Sequence, residues 1–378
     1  MARAAVGLEE RAGALPRYCR IGNLLVPDAP EAQTIYWRRL HHLQRLPRRS
    51  RLARWHPGAA QRLAWAEAAQ HRLEEWLGGP LVCIWRPAEP GLSRAALGWV
   101  YQRGRLRALA RLAWNEHCGF LRREWRALQY LAAVPGLAAT TPQLLHVEQE
   151  EDARGARLLL AESACAGTPR PPCGSGMPAP EAADWLAGFQ AAAGAHAVWD
   201  GEQLRAAIAA HGGLSPRARL RLEVRAAATA ADRVPQVAAH SDYWWGNLLL
   251  NPEREFAVVD WSEFRLDAHP FHDAGFYLLT WGRDCVQGRE RLPPAAWLEQ
   301  ALAPGARFRP LAERWFARYR NALARCGWSR ALPVDFAALL HHLPLVMAHY
   351  ACHGQQAAAW TEACNAWAES KPDHLETP

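Results

Sequence analysis

The sequence predicts a two-lobed α+β fold with a small antiparallel β lobe, a larger helical lobe and a helical N-terminal extension. Three observations predict it. Short apolar runs separated by turn residues fill residues 80–161, helical patterns dominate residues 162–378, and a hairpin with polar ends interrupts those helices near residue 250. We therefore divide the chain into residues 1–79, 80–161 and 162–378, and we expect a ligand in the cleft between the lobes.

The extension, residues 1–79, combines helical patterns with a cluster of arginines. EAQTIYWRRLHHLQRL has apolar residues at helical spacing, and AQRLAWAEAAQHRLEEWL predicts a second helix that ends at Gly78-Gly79-Pro80. The basic stretch, residues 37–56, contains no acidic residue. It is typical of a solvated or partner-facing surface, and peripheral contact with an anionic surface, either a membrane or a nucleic acid, is the other interpretation.

Composition excludes several classes of protein. No run of apolar residues is long enough to span a membrane, and the N-terminus lacks the apolar core of a signal peptide. The 9 cysteines are odd in number and form no C-x-x-C pair, which favours reduced thiols in a cytoplasmic protein. Lys371 is the only lysine, so any role that needs a cation in the folded body falls to arginine.

The β lobe is predicted from five apolar runs and one helix. LVCIWRP, ALGWVY and LRALARLAW predict three antiparallel strands, and TPQLLHVEQE and ARLLLAES predict two more. EHCGFLRREWRALQYLAA, between these two groups, predicts an amphipathic helix.

The hairpin carries the polar residues that point to chemistry. In AHSDYWWGNLLLNPEREFAVVDW, the runs LLL and FAVVDW predict two strands, and His240, Asp242, Asn247 and Asp260 lie at their ends. Phosphoryl transfer to a hydroxyl needs a carboxylate near the acceptor and oxygen ligands for Mg²⁺. We expect Asp242 to orient the hydroxyl and accept its proton, and Asn247 and Asp260 to hold the metal. His240 is interpreted as a residue that fixes the loop.

These residues resemble the catalytic loop and metal site of the aminoglycoside phosphotransferase and choline kinase superfamily, which has the protein-kinase-like fold. Ser241 stands where that family usually has glycine. The segment HPFHDAGFYL is similar to the family's Pro-x-x-Asp-hydrophobic segment. The resemblance implies that Asp273 braces the catalytic loop by accepting hydrogen bonds from its backbone.

The same resemblance extends to the β lobe. ALARLAWNEHCGFLRREWRAL looks like the family's strand that carries a phosphate-binding lysine, followed by a helix with a paired glutamate. On this alignment Glu124 is the helix glutamate and Arg111 stands in the lysine position, with Arg107 as the alternative. GLSR falls where the family has its phosphate-covering turn, so Ser93 is a candidate phosphate contact.

The implied function is a Mg²⁺-dependent small-molecule kinase. It would transfer the γ-phosphate of ATP or GTP to a hydroxyl on a sugar, a polyol or an amino alcohol. The alternative is a catalytically weak kinase-like protein that binds a partner or a membrane surface through its basic extension. The complete Asp242, Asn247 and Asp260 set favours the kinase, whereas the missing lysine favours the alternative.

Two further features stay open in the sequence. His349 and His353 lie four residues apart with Cys352 beside them, as in a metal site or in an ordinary helix pair. Trp244 and Trp245 either line the acceptor pocket or pack the loop.

Overall fold

The computed structural model describes part of the chain and groups it into two compact units. The described residues are 18–21, 24–27, 30–35, 59–87, 95–152, 155–169, 178–193, 197–251, 256–287, 298, 301–328, 336–353 and 357–369. The first unit comprises Met1–Arg126 and Pro142–Ala164, and the second comprises Ala127–Thr141 and Cys165–Pro378. The predicted lobe boundary after residue 161 lies close to Ala164.

The first unit is built on an antiparallel sheet of 7 strands in the order β1-β2-β3-β4-β5-β7-β6. The five strands predicted for the β lobe are confirmed as β3 to β7. The strands are β1 (Tyr18–Ile21), β2 (Leu24–Pro27), β3 (Val82–Arg86), β4 (Ala96–Gln102), β5 (Arg105–Trp114), β6 (Leu144–Asp152) and β7 (Gly155–Ser163).

Three helices accompany this sheet: α1 (Pro30–Ile35), α2 (Ala59–Leu77) and α3 (Cys118–Ala133). Alternate residues of a strand point to opposite faces. Cys83 and Trp85 accordingly pack with α2, whereas Ile84 packs with α1. Both faces of the sheet are therefore buried at β3, which explains why its sequence reads as a continuous apolar run.

The first 79 residues differ from the helical extension that the sequence predicts. Helices α1 and α2 are present, but β1 and β2 lie in the same region, and Leu25 of β2 pairs with Trp85 of β3. In the sequence, β1 and β2 flank Gly22-Asn23, which is a two-residue hairpin signal that the helical interpretation overlooked. The basic stretch, residues 37–56, lies outside the described residues.

The second unit is mainly helical, with two small sheets. Its helices are α4 (Pro180–Ala193), α5 (Glu202–Ala210), α6 (Pro216–Ala231), α7 (Phe271–Gln287), α8 (Arg309–Leu323), α9 (Phe336–His353) and α10 (Ala357–Glu369). Its strands are β8 (Thr168–Pro169), β9 (Val237–Ala239), β10 (Leu248–Leu250), β11 (Phe256–Val258) and β12 (Arg265–Ala268). The sheets are ordered β11-β10-β8 and β12-β9.

The α+β class predicted from the sequence is confirmed, with the antiparallel sheet in one unit and most helices in the other. The predicted hairpin is present as β10 and β11, which pair from Leu248 opposite Val258 to Leu250 opposite Phe256. Within the described part of the chain, no helix has the length and apolarity that crossing a membrane requires.

Candidate active site

The β10–β11 hairpin brings two predicted site residues to the same end of a short sheet. Asn247 immediately precedes β10, and Asp260 follows β11 by two residues. The backbone N–H of Val259 donates to the carbonyl of Asn247 at 3.0 Å, which extends the pairing beyond the strands. Asn247 and Asp260 thus lie side by side because antiparallel pairing aligns the start of one strand with the end of the other.

The loop between β9 and β10 is held by one buried carboxylate. Asp273, in the first turn of α7, accepts hydrogen bonds from the backbone N–H groups of His240 at 2.7 Å and Ser241 at 2.9 Å. Burial raises the pKa of Asp273 to about 7, and these two hydrogen bonds oppose that rise. This is the contact that the resemblance implies for Asp273.

His240 fixes the loop through both ring nitrogens. Its Nδ1 accepts from the backbone N–H of Asp242 at 3.2 Å, so the proton lies on Nε2, which donates to the carbonyl of Val259 at 3.0 Å. Burial lowers the pKa of His240 to about 4. A neutral imidazole whose two nitrogens both bond to backbone cannot take a proton from a substrate. His240 therefore holds the loop in place and does not serve as a base.

Asp242 and Asn247 are joined directly. The amide nitrogen of Asn247 donates at 2.9 Å both to the carbonyl oxygen and to carboxylate Oδ2 of Asp242. Burial, and then the neighbouring Asp260 carboxylate, raise the pKa of Asp242 well above its usual value. Both of these hydrogen bonds use the side-chain nitrogen of Asn247, which leaves its carbonyl oxygen Oδ1 for a cation.

A cavity of about 300 Å³ in the second unit contains this carboxylate group. Its polar lining comprises Ser241, Asp242, Asn247, Asp260, Ser262, Glu263, Thr280, Arg283, His349 and His353. Its aromatic wall consists of Trp244, Phe276, Tyr350 and Trp360. Phe276 and Tyr350 stack with ring centroids 4.0 Å apart, so this wall is a packed surface against which a ligand ring can lie.

The two tryptophans of the loop have different positions. Trp244 lines the cavity, whereas the indole N–H of Trp245 donates to the carboxylate of Asp284 on α7. Arg283 also pairs with Asp284 at 2.8 Å. Trp245 therefore anchors the loop to α7, and Trp244 is the one of the pair that can contact a ligand.

The set of oxygen donors fits a divalent cation. Asp260 and Asn247 Oδ1 are hard oxygen ligands of the kind that Mg²⁺ prefers, and the cation takes its remaining ligands from phosphate and water. Burial is the main cause of the raised Asp242 pKa and the Asp260 carboxylate is the second, so a cation held by Asn247 and Asp260 would reduce the negative charge near Asp242. In the described part of the chain, no three His, Cys, Asp or Glu side chains form a group that could hold a metal ion by themselves, so a cation here would depend on the Asn247 oxygen, phosphate and water.

In the first unit, the structure brings Arg111 and Glu124 together. Arg111 Nη1 on β5 lies 3.1 Å from Glu124 Oε1 on α3, and Glu124 is fully buried. Arg107, the alternative cation, is exposed on the same strand. Ser93 lies outside the described residues, so its role as a phosphate contact stays a prediction.

The chain is similar in structure to small-molecule kinases. A wild-type aminoglycoside 2′-phosphotransferase in its GDP complex is 15% identical with a TM-score of 0.45, over 72% of this chain and 86% of that one. The macrolide 2′-phosphotransferase of Brachybacterium faecium is 18% identical with a TM-score of 0.47, over 79% and 96% of the two chains. The ethanolamine kinase of Plasmodium vivax is 9% identical with a TM-score of 0.48, over 81% and 87%.

No protein-family model and no curated protein matches the sequence.

Two residues that contact predicted site residues, one in each unit, were not anticipated from the sequence. Glu162 on β7 is fully buried and lies 3.6 Å from Arg111 Nη2, and Tyr350 on α9 donates from its hydroxyl to the carbonyl of Ser241. A signal for Glu162 exists in LLLAES, where a carboxylate ends a continuous apolar run. No comparable signal marks Tyr350, because its contact spans more than a hundred residues.

His349 and His353 lie next to each other in a histidine cluster, with ring centroids 4.9 Å apart. His349 Nδ1 accepts from Arg265 Nη1 at 3.1 Å, and His353 Nδ1 lies 3.1 Å from the carbonyl of His349. These contacts occupy the Nδ1 atom of each ring. The pair is therefore accounted for by hydrogen bonds within the fold.

Proposed function

We propose that the chain is a phosphotransferase that moves the γ-phosphate of a nucleoside triphosphate to a hydroxyl of a small molecule, with Mg²⁺ as cofactor. The observation that carries this proposal is the convergence of Asp242, Asn247 and Asp260 on one cavity, on a loop that Asp273 holds by its backbone. Phosphoryl transfer depends on positioning and charge stabilisation more than on covalent chemistry, and this arrangement supplies both.

Asp242 is the group that receives the acceptor's proton. It lies in the cavity, where a carboxylate can orient the acceptor hydroxyl and accept its proton. The hydrogen bond from Asn247 fixes one carboxylate oxygen at 2.9 Å, so the other is available to orient the hydroxyl.

Asn247 and Asp260 hold the cation. Mg²⁺ bound there would neutralise charge on the transferring phosphoryl group. Asp260 has φ 68°, a left-handed conformation that aspartate tolerates better than most residues, and its Oδ1 accepts from the hydroxyl of Ser262 at 3.0 Å. The backbone and Ser262 together fix the direction in which the carboxylate of Asp260 points.

Arg111 is the candidate phosphate contact of the first unit. A guanidinium supplies a permanent positive charge and several N–H donors, so it can serve phosphate where a lysine is missing. Glu124 holds Arg111 from α3, in the manner of the lysine and glutamate pair that the resemblance implies.

The acceptor is proposed to be a sugar or a polyol, with an amino alcohol as the neighbouring class. The cavity combines the aromatic faces of Trp244 and Trp360 with the carboxylates of Asp260 and Glu263. Sugars present both a flat apolar face and many hydroxyls, and this mixture of walls matches them.

The test is a transfer assay with ATP or GTP labelled in the γ-phosphate, Mg²⁺, and panels of sugars, polyols and amino alcohols. The expected result is label transfer to at least one panel, with preference for sugars or polyols, and loss of transfer when Mg²⁺ is chelated. Mg²⁺-dependent binding of nucleotide without transfer to any acceptor would contradict the kinase proposal. The alternative function is binding to a partner or an anionic surface. It rests on residues 37–56, which lie outside the described residues.

A further inference from the structure

Arg111 contacts two buried carboxylates. Its Nη1 lies 3.1 Å from Glu124 Oε1 on α3, and its Nη2 lies 3.6 Å from Glu162 Oε1 on β7. Both glutamate side chains are 0% exposed, and the side chain of Arg111 is 12% exposed. A resemblance to a lysine and glutamate pair accounts for Glu124 but gives no role to Glu162.

The sheet register explains why Glu162 reaches Arg111. Strands β5 and β7 are antiparallel, with Arg111 opposite Leu160 and Leu109 opposite Glu162. Residues directly opposite each other share a face of the sheet, and so do residues two apart on one strand. Arg111 and Glu162 are therefore diagonal neighbours on the face that also meets Glu124 of α3.

The chemistry of the cation decides how many carboxylates it can hold. A buried carboxylate is costly unless it is paired with a cation. A guanidinium has separate nitrogens fixed in a plane and can engage two carboxylates at once, whereas a lysine ammonium is a single compact charge. The second buried glutamate is thus matched to arginine at position 111.

We infer that Glu162 is a positioning residue for Arg111, and that Glu124, Arg111 and Glu162 act as one unit in place of a lysine and glutamate pair. Glu162 fixes the second nitrogen of the guanidinium, which sets the direction in which the remaining donors face. The part concerning nucleotide rests on the proposed function, because it takes Arg111 to be the phosphate contact.

The first consequence concerns the Glu162→Gln variant. The amide keeps the shape of the side chain but removes the charge that holds Nη2 of Arg111. We expect KM for the nucleotide to rise about tenfold, because the guanidinium loses the ion pair that orients it, while KM for the acceptor stays unchanged. A purely structural residue would change both constants or neither.

The second consequence concerns a lysine at position 111. In Arg111→Lys, the compact ammonium keeps its contact with one glutamate and loses the contact with the other, so the melting temperature falls and nucleotide binding weakens. Adding Glu162→Gln removes the carboxylate whose contact with residue 111 is lost. We therefore expect the double variant Arg111→Lys/Glu162→Gln to melt higher and to bind nucleotide more tightly than Arg111→Lys alone.

The experiment compares wild type, both single variants and the double variant by thermal denaturation, by titration with ATP and Mg²⁺, and by steady-state kinetics with the acceptor from the transfer assay. Glu150→Gln on β6 is the matched control, because Glu150 pairs with Arg157 at the surface and should change neither quantity. The inference is supported if the double variant melts higher and binds nucleotide more tightly than Arg111→Lys, and if Glu162→Gln raises KM for the nucleotide alone. Additive effects of the two substitutions on the melting temperature and on nucleotide binding would overturn it.

If the proposed function is wrong, the same experiment gives a different set of results. Wild type that binds no nucleotide would refute the proposed function and the phosphate role of Arg111. The melting temperatures would still decide whether Glu162 holds Arg111, because they do not depend on nucleotide.

Discussion

Among single residues, Asp242 is the one whose loss should remove turnover without removing the nucleotide. Asp242→Asn keeps the shape of the side chain but cannot accept the acceptor's proton. We expect kcat to fall about a hundred- to ten-thousandfold, the usual contribution of a general base, with nucleotide affinity within a few-fold of wild type. Steady-state kinetics with calorimetric nucleotide titration measures both quantities.

The matched control for that experiment is Asp232→Asn, which changes an exposed aspartate at the end of α6. It should leave kcat unchanged. Full turnover in Asp242→Asn would show that another group accepts the proton.

Ser241 is a residue at which the fold is strained. It has φ 61°, in the left-handed region, and its buried hydroxyl meets no hydrogen-bond partner among the described residues. Glycine avoids both costs, although it loses more entropy on folding. We expect Ser241→Gly to raise the free energy of unfolding by about 1 kcal/mol in urea denaturation.

The contrasting substitution is Ser262→Gly. The hydroxyl of Ser262 donates to Asp260, so removing it should destabilise the protein. The two serine-to-glycine substitutions are therefore expected to have opposite signs. A loss of stability in Ser241→Gly would mean that its backbone is not strained.

At the level of elements, the loop depends on α7 through Asp273. In Asp273→Asn an amide replaces one of the two oxygens, so it can accept only one of the N–H groups of His240 and Ser241 with its carbonyl. A backbone donor left without its acceptor costs about 1–3 kcal/mol. We expect a lower melting temperature, a reduced kcat and faster hydrogen exchange at the amides of residues 240 and 241. Exchange that matches wild type at those two amides would contradict the bracing role.

The sequence predicts most of the fold because short apolar runs bounded by turn residues are local signals, both in β3 to β7 and in the β10–β11 hairpin. Strands β1 and β2 were missed because the helical interpretation overlooked Gly22-Asn23, and the pairing of β2 with β3 is a long-range contact. The carboxylate group of the second unit was predicted because its members lie close together in the sequence. Glu162 and Tyr350 were not predicted, because each contacts a predicted site residue of its own unit through a tertiary contact that has no fixed spacing in the sequence.

For the molecule as a whole, a buried histidine cluster should make stability depend on pH. Rings of His269 and His342 stack with centroids 3.8 Å apart, and those of His272 and His349 lie 4.6 Å apart. Burial lowers the pKa of all four below the usual value, to about 3 for His342. The folded state holds them neutral, whereas the unfolded chain protonates them near pH 6.5.

The direction in which stability changes with pH follows from the number of protons that each state binds. Below about pH 6.5 the unfolded state binds more protons at these histidines than the folded state, so stability is present above that pH and is lost as the pH falls. Asp242 and Asp273 act in the opposite sense, because their raised pKa values let the folded state hold protons that the unfolded state has released. More groups lose stability on acidification (four histidines) than gain it (two carboxyls). We therefore expect the free energy of unfolding to decrease as the pH falls.

We expect the free energy of unfolding to fall between pH 7 and pH 5, with each histidine contributing up to about 1.4 kcal/mol per pH unit. Urea denaturation across that range measures the slope. His342→Gln should reduce the slope, whereas His71→Gln, at an exposed position on α2, should leave it unchanged. A flat profile in wild type would contradict the neutral state of the cluster.

We propose that Asp260 and Asn247 hold a cation that nucleotide binding requires. Thermal denaturation tests this proposal directly. Wild type and Asp260→Ala would be melted with ATP or GTP, each with and without Mg²⁺. A ligand that binds only the folded state raises the melting temperature by mass action. We expect the melting temperature of wild type to rise with nucleotide only when Mg²⁺ is present, and we expect this rise to be lost in Asp260→Ala. No rise in wild type at millimolar nucleotide, or an equal rise in the variant, would contradict it.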